Sequence, residues 1–236
     1  MGLFFKRRQK TANARELQDD STSAVTSGTP DSAPVSSEAV ETKDQPAGPR
    51  DVKQLADQDT SQYADFGVFL LPQIPGLAVH PESPLDEKTF GSLTMQIGKA
   101  AVELLAVAAP KSKRLWPELR AQVRGETTAA GNTCEEREGS FGTELFVQLV
   151  AQDAQGNRGR VQVRYCGVDG PNWFVRLVFN GMVQADDPDL QALEKAVRQV
   201  VVVRGSRPMS PRSVIPVVLP DDLARQLAAL REQQQA

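Results

Sequence analysis

Fifty residues near the start of this chain cannot build a core of their own. Residues 11 to 60 contain no aromatic side chain, few large aliphatics, and ten acids against four bases. Serine, threonine, proline and alanine make up most of the rest. Such a segment buries too little apolar surface to offset the ~1–2 kcal/mol of backbone entropy lost at each ordered residue. It reads as a disordered, acidic tether. The sequence therefore divides into a disordered segment over 1–62, a single folded body over 63–220 and a C-terminal tail over 221–236.

The body shows strand periodicity first. "FGVFLLP" (66–72) reads as a strand closed by Pro72, and "IPGLAVHPE" as a turn at Pro75-Gly76 followed by a short extended run. Leu93, Met95 and Ile97 alternate with Thr94 and Gln96, the period of a half-buried strand. Gly98-Lys99 supplies a turn, and the nearly continuous apolar run from Val102 to Ala109 reads as a central strand, with helix the competing assignment. After it, Leu115, Leu119 and Val123 fall four apart, and Pro117 among them suits a first helical turn. Trp116 beside them reads as a core anchor.

Strands resume after Gly131. "TCEEREG" has the charge of an edge strand, and Leu145, Val147 and Leu149 share one face of the next. "RVQVRYCGV" and "NWFVRLVFNG" flank Asp169-Gly170-Pro171-Asn172. That tetrapeptide has the chemistry of a tight hairpin: glycine frees the backbone, proline fixes φ, and Asp and Asn bond locally. The strand from Trp173 to Phe179 is apolar on both faces, which places it inside a sheet. Asp187-Pro188 opens a second helix with Leu190, Leu193, Val197 and Val200 at helical spacing. The run Val200 to Val203 suits a short strand. "SRPMSPRSVIPVVLP" reads as an extended arm wrapping the body, and Leu223, Leu227 and Leu230 are spaced for one face of a terminal helix. The expected fold is α+β: a mainly antiparallel sheet with two packed helices, an α/β sandwich.

Charge and composition exclude more functions than they suggest. Residues 61 to 220 hold seventeen bases and seventeen acids, so the net −3 of the chain arises in its tails. A neutral body is a poor electrostatic match for nucleic acid. Cys134 and Cys166 form no metal motif and no disulfide framework. The single histidine, His80, makes triads and histidine metal sites hard to assemble and reads as a strand-end residue. No cofactor is implied. No run approaches the length of a transmembrane helix, no secretory signal is visible, and the expectation is a cytoplasmic protein.

Three functional readings stay open. The first is a non-enzymatic binding or accessory module acting through protein–protein contacts. Its binding surface would use Asp169, Trp173, Arg176, Arg204 and Arg207, with the Met209-Ser210-Pro211 arm. Arg164 and Arg176, on neighbouring strands, would either converge on an acidic group near Trp173 or each take a carboxylate from elsewhere in the body. The second is a membrane-surface or nucleic-acid adaptor using the basic tip, where Lys6, Arg7, Arg8 and Lys10 follow Leu3-Phe4-Phe5. The third is an enzyme working through Glu103, Glu144 and Asp169 without histidine.

Four stretches taken together, "LPQIPGLAV", "FGTEL", "GVDGPNWFVRLVFNG" and "VVVVRGSRPMSPRSVIPVVLP", resemble in order and spacing an actinobacterial family, the domain of unknown function family 3710. The resemblance covers about residues 63 to 220 and implies an actinobacterial cytoplasmic origin. It carries no catalytic residue. A looser likeness at the level of fold is to Mog1- and PsbP-type sandwiches, which implies an accessory role by analogy alone.

Overall fold

The computed structural model describes residues 48–55, 60–86, 88–111, 113–152, 158–181, 185–225 and 229. The basic tip, most of the acidic segment, the connection over 153–157 and the chain's last residues lie outside them. The strands are β1 (Arg50–Asp51), β2 (Tyr63–Asp65), β3 (Phe69–Pro72), β4 (Ala78–Pro84), β5 (Thr89–Ile97) and β6 (Ala100–Ala108). Helix α1 (Trp116–Ala129) follows, then β7 (Thr133–Gly139), β8 (Gly142–Gln152), β9 (Arg158–Gly170) and β10 (Trp173–Asn180). Helix α2 (Pro188–Gln199), β11 (Val201–Val202) and β12 (Val217–Val218) complete the order, and residues 221–225 are helical. This is the α+β architecture that the periodicity predicts.

A large, antiparallel sheet runs β12-β5-β6-β10-β9-β8-β7, with β4 also paired to β5. The all-apolar run becomes β6, held between β5 and β10, and β10 lies between β6 and β9. Burial on both faces explains why β10 shows no alternation, whereas β6 alternates buried and half-buried positions up to Leu105 although nearly all its residues are apolar. A small sheet, β1-β11-β3-β2, contains the one parallel pairing among the described strands, β1 with β11. The short β-branched run after α2 thus belongs to a different sheet from the strands before it.

Two clusters divide the core by sheet face. Leu93, Met95, Val102, Leu104, Val175 and Leu177 face α2 residues Leu190, Leu193 and Val197 and the small-sheet residues Phe69 and Leu71. On the other face, Val107, Phe174, Leu145 and Val147 meet Leu115, Trp116, Leu119 and Val123 of α1. The arm after β11 lies extended across the body, as expected: Ser213 and Val214 join the end of β6, and Val217 pairs with Phe90.

Three local expectations need correction. The fold reaches back to Gly48 rather than beginning near Tyr63, because β1 pairs with β11 and Leu55 is buried. Short docked segments carry too few apolar residues to stand out by composition. Second, His80 and Pro81 do not end their strand: β4 continues to Pro84, as an outer strand tolerates proline. Third, the strand expected from Phe66 starts at Phe69, after Gly67 turns the backbone with φ 76°.

Candidate functional site

Four of the five residues singled out from the sequence, Asp169, Trp173, Arg204 and Arg207, lie around the β9–β10 turn. Pro171-Asn172 is a two-residue connection, with Asn172 at φ 62°, the pattern of a type II turn. Gly170 does not supply the unusual angle. It is needed because a side chain there would overlap the indole of Trp173. Likewise Gly167, three residues before the turn's base at Gly170, lies flat under the ring of Trp116.

Asp169 does not cap its own turn. Its two carboxylate oxygens accept hydrogen bonds from the N–H groups of Leu115 (2.6 Å) and Trp116 (3.1 Å) at the start of α1. Leu115, the N-cap residue, has no side chain able to do this. Trp173 is buried, and its Nε1–H donates to Asp51 Oδ2 at 2.7 Å. The buried Asp51 thereby fastens the segment at 48–55 onto the end of the large sheet. Arg204 donates from Nε to the Asn172 carbonyl (3.1 Å) and from Nη1 to the Arg207 carbonyl (3.1 Å). Arg207 itself and Ser210-Pro211 are exposed, while Met209 packs against the core. Asp169, Trp173, Arg204 and Arg207 therefore gather at one end of the sheet.

Arg176 does not join them. It lies on the α1 face, three positions along β10, where Nη2 donates to Glu103 Oε1 at 3.5 Å; that same oxygen accepts from Ser92 at 2.9 Å. Arg164 stands on the opposite face, beside Phe179. The two arginines do not converge, because β9 position 164 registers with Phe179, which alternates away from Arg176. Each instead finds a carboxylate within the body.

Arg164 centres a network that the pattern of residues does not show. Its Nη2 donates to Glu194 of α2 at 2.6 Å and its Nε stands 3.6 Å from Glu144 Oε2. Its guanidinium lies 4.0 Å over the Phe179 ring, which stacks with Phe141. Glu194 also meets Arg198 at 3.5 Å and accepts from Ser140 Oγ at 2.5 Å. Glu144, with no exposed side-chain surface, accepts from the Phe141 N–H at 2.9 Å and fills the space a side chain at Gly139 would need. The network ties the β7–β8 hairpin to β9 and α2. Spacing along the sequence offers no signal for it, since its members come from four elements.

Burial raises the Glu144 carboxyl above its ordinary value, against the lowering effects of Arg164 and the Phe141 N–H. The Cys166 thiol against it is raised well above the ordinary thiol value by burial and then by Glu144 itself. It is a protonated thiol, the opposite of an activated nucleophile. Cys134 and Cys166 are both free, on β7 and β9 with β8 between them. Among the described residues no group of three or more His, Cys, Asp or Glu side chains is placed to hold a metal, and no described helix is long and apolar enough to cross a membrane.

The model of the family described as "Protein of unknown function (DUF3710)" matches residues 48–226. The chain belongs to this family. The match begins at Gly48, just before β1 and its anchor Asp51. No curated protein matches. Among solved structures, a Bacteroides thetaiotaomicron VPI-5482 protein is similar at 9% identity and TM-score 0.40, over 71% of this chain and 56% of its own. The chain thus spans little more than half the length of that structure. The cyanobacterial PsbP (CyanoP) of Synechocystis sp. PCC 6803 is similar at 9% identity and TM-score 0.31, over 63% of this chain and 96% of its own. At these scores the likeness carries no functional argument.

Proposed function

We propose that this DUF3710 protein is a non-enzymatic, cytoplasmic accessory module that works through protein–protein contacts. One observation carries the reading: the carboxylates a catalyst would need are spent on the fold. Asp169 closes α1, Glu103 takes Ser92 and Arg176, and Glu144 pins a hairpin under Arg164. Toward solvent, the arm beside the β9–β10 turn leaves Arg207 and Ser210-Pro211 exposed.

The test is affinity purification from the native host with quantitative mass spectrometry. Full chain, a chain starting at Gly48, and the variants R204E/R207E and E144Q are compared. The reading expects a protein captured by full chain, Gly48 chain and E144Q alike and depleted about tenfold by R204E/R207E, as loss of charged interface contacts implies. Capture that R204E/R207E leaves unchanged would remove this surface from the account. Capture lost with residues 1–47 would move recognition to the acidic segment.

A second reading rests on a different observation. Glu144 and Glu194 meet one arginine, and the Glu144 carboxyl is raised, an arrangement that also suits acid–base chemistry. Metabolite screening by thermal shift separates the two. A small molecule that stabilises the wild type and not E144Q would favour the enzyme; the accessory reading expects none.

A further inference from the structure

β7 is the last strand on its side of the large sheet, and among the described residues no strand lies beyond it. The strand β4 on the opposite side is blunted: it carries Pro81 and Pro84, and Ser83 between them has φ 55°. β7, with the sequence Thr-Cys-Glu-Glu-Arg-Glu-Gly, has no such block.

The hairpin fixes which of its peptide groups point outward. Gly139 pairs with Gly142 across a two-residue turn, so Gly139, Arg137, Glu135 and Thr133 direct N–H and C=O toward β8. Val150 confirms the parity from the other strand. Its N–H points the same way as those of Gln148 and Phe146, and just before β7 begins it is taken by Asn132 Oδ1 at 3.2 Å. Cys134, Glu136 and Glu138 therefore turn their backbone donors and acceptors away from the sheet.

Charge along this edge is ordered as its own complement. A two-fold axis through Glu136 sets Glu135 opposite Arg137 of a second copy, and Arg137 opposite the copy's Glu135. Both side chains are more than half exposed, at 63% and 52%, and within one copy they bond each other at 2.6 Å, so the axis sets two such pairs side by side with opposite charges facing. On the α1 face the same axis brings two Glu136 side chains together, a placement that ordinarily repels. Here each Glu136 already has Arg124 at 2.6 Å and Arg120 at 3.3 Å from the helix above. The axis thus joins two carboxylates inside four guanidiniums, and every outward N–H and C=O of Cys134, Glu136 and Glu138 finds a partner.

We propose that β7 pairs antiparallel with β7 of a second copy of this chain, centred on Glu136, so that two large sheets become one. The contact is isologous and closes on itself, and it does not depend on the surface assigned to other partners above.

Sedimentation velocity of the full chain at low ionic strength tests it. The expectation is a mass rising with concentration from that of a 25.7 kDa monomer toward twice that value. E135R and R137E each place like charges opposite one another and weaken self-association about tenfold. The double variant E135R/R137E restores the opposite-charge pairing and recovers the wild-type mass. Circular dichroism on each variant confirms that the exposed substitutions leave the fold intact. A monomer at every concentration would overturn the proposal. So would a dimer indifferent to both single variants, or a double variant that stays dissociated.

Discussion

Asp169 closes the start of a helix that lies 54 residues earlier in the chain. A carboxylate beside Gly-Pro-Asn invites a local role, and the local role is the wrong one here. D169A leaves the N–H groups of Leu115 and Trp116 without their acceptor and should cost about 0.5–2 kcal/mol, read by urea unfolding. Gly167 makes the same point through shape. Only a hydrogen fits beneath the Trp116 ring, so G167A should cost about 1–3 kcal/mol by overpacking. Glu144 has a signature in pH. Its folded value lies above the unfolded one, so between the two the folded protein holds a proton that the unfolded chain has released. Stability from this group therefore falls as pH rises through that window. E144Q should remove that slope, which denaturation of both proteins across pH 4 to 8 (roughly the carboxyl range and above) would show as a difference between their curves. Parallel curves would mean that Glu144 titrates ordinarily.

The strands were legible where a physical pattern is local. Leu93, Met95 and Ile97 alternate because one face of β5 meets the core, and Asp187-Pro188 announces α2 because its cap is made within three residues, to Asp189 and Leu190. Contacts between distant elements leave no such trace. The Arg164 network draws Ser140, Glu144, Glu194 and Arg198 from a turn, a strand and a helix, and the separation of Arg164 from Arg176 depends on register that only the paired strands fix. The segment at 48–55 was hidden in the same way. Its composition is that of the tether, yet Asp51 bonds Trp173 and Leu55 is buried. A chain beginning at Gly48 should therefore unfold like the full protein. One beginning at Ser61 should lose about 3 kcal/mol or more, from an unsatisfied indole and one buried leucine. Chemical denaturation of the two truncations checks this.

At the scale of the whole molecule, charge is sorted by depth. The buried and half-buried ionic groups bind the hairpin, the helices and the N-terminal strap to one sheet. Breaking such a pair from one side costs more than the pair contributes, because it strands the remaining charge. Exposed charges include the Glu135–Arg137 pair on the β7 edge and Arg207 on the arm beside the β9–β10 turn, which reach solvent rather than the core. Neither zone carries a metal cluster among the described residues. One comparison tests this division directly: the unfolding free energies of D169A and R207E against the wild type. D169A should lose about 0.5–2 kcal/mol, and the exposed R207E should change by no more than about 0.5 kcal/mol. A D169A protein as stable as the wild type would contradict it, since Asp169 would then be spared by the fold and available for chemistry.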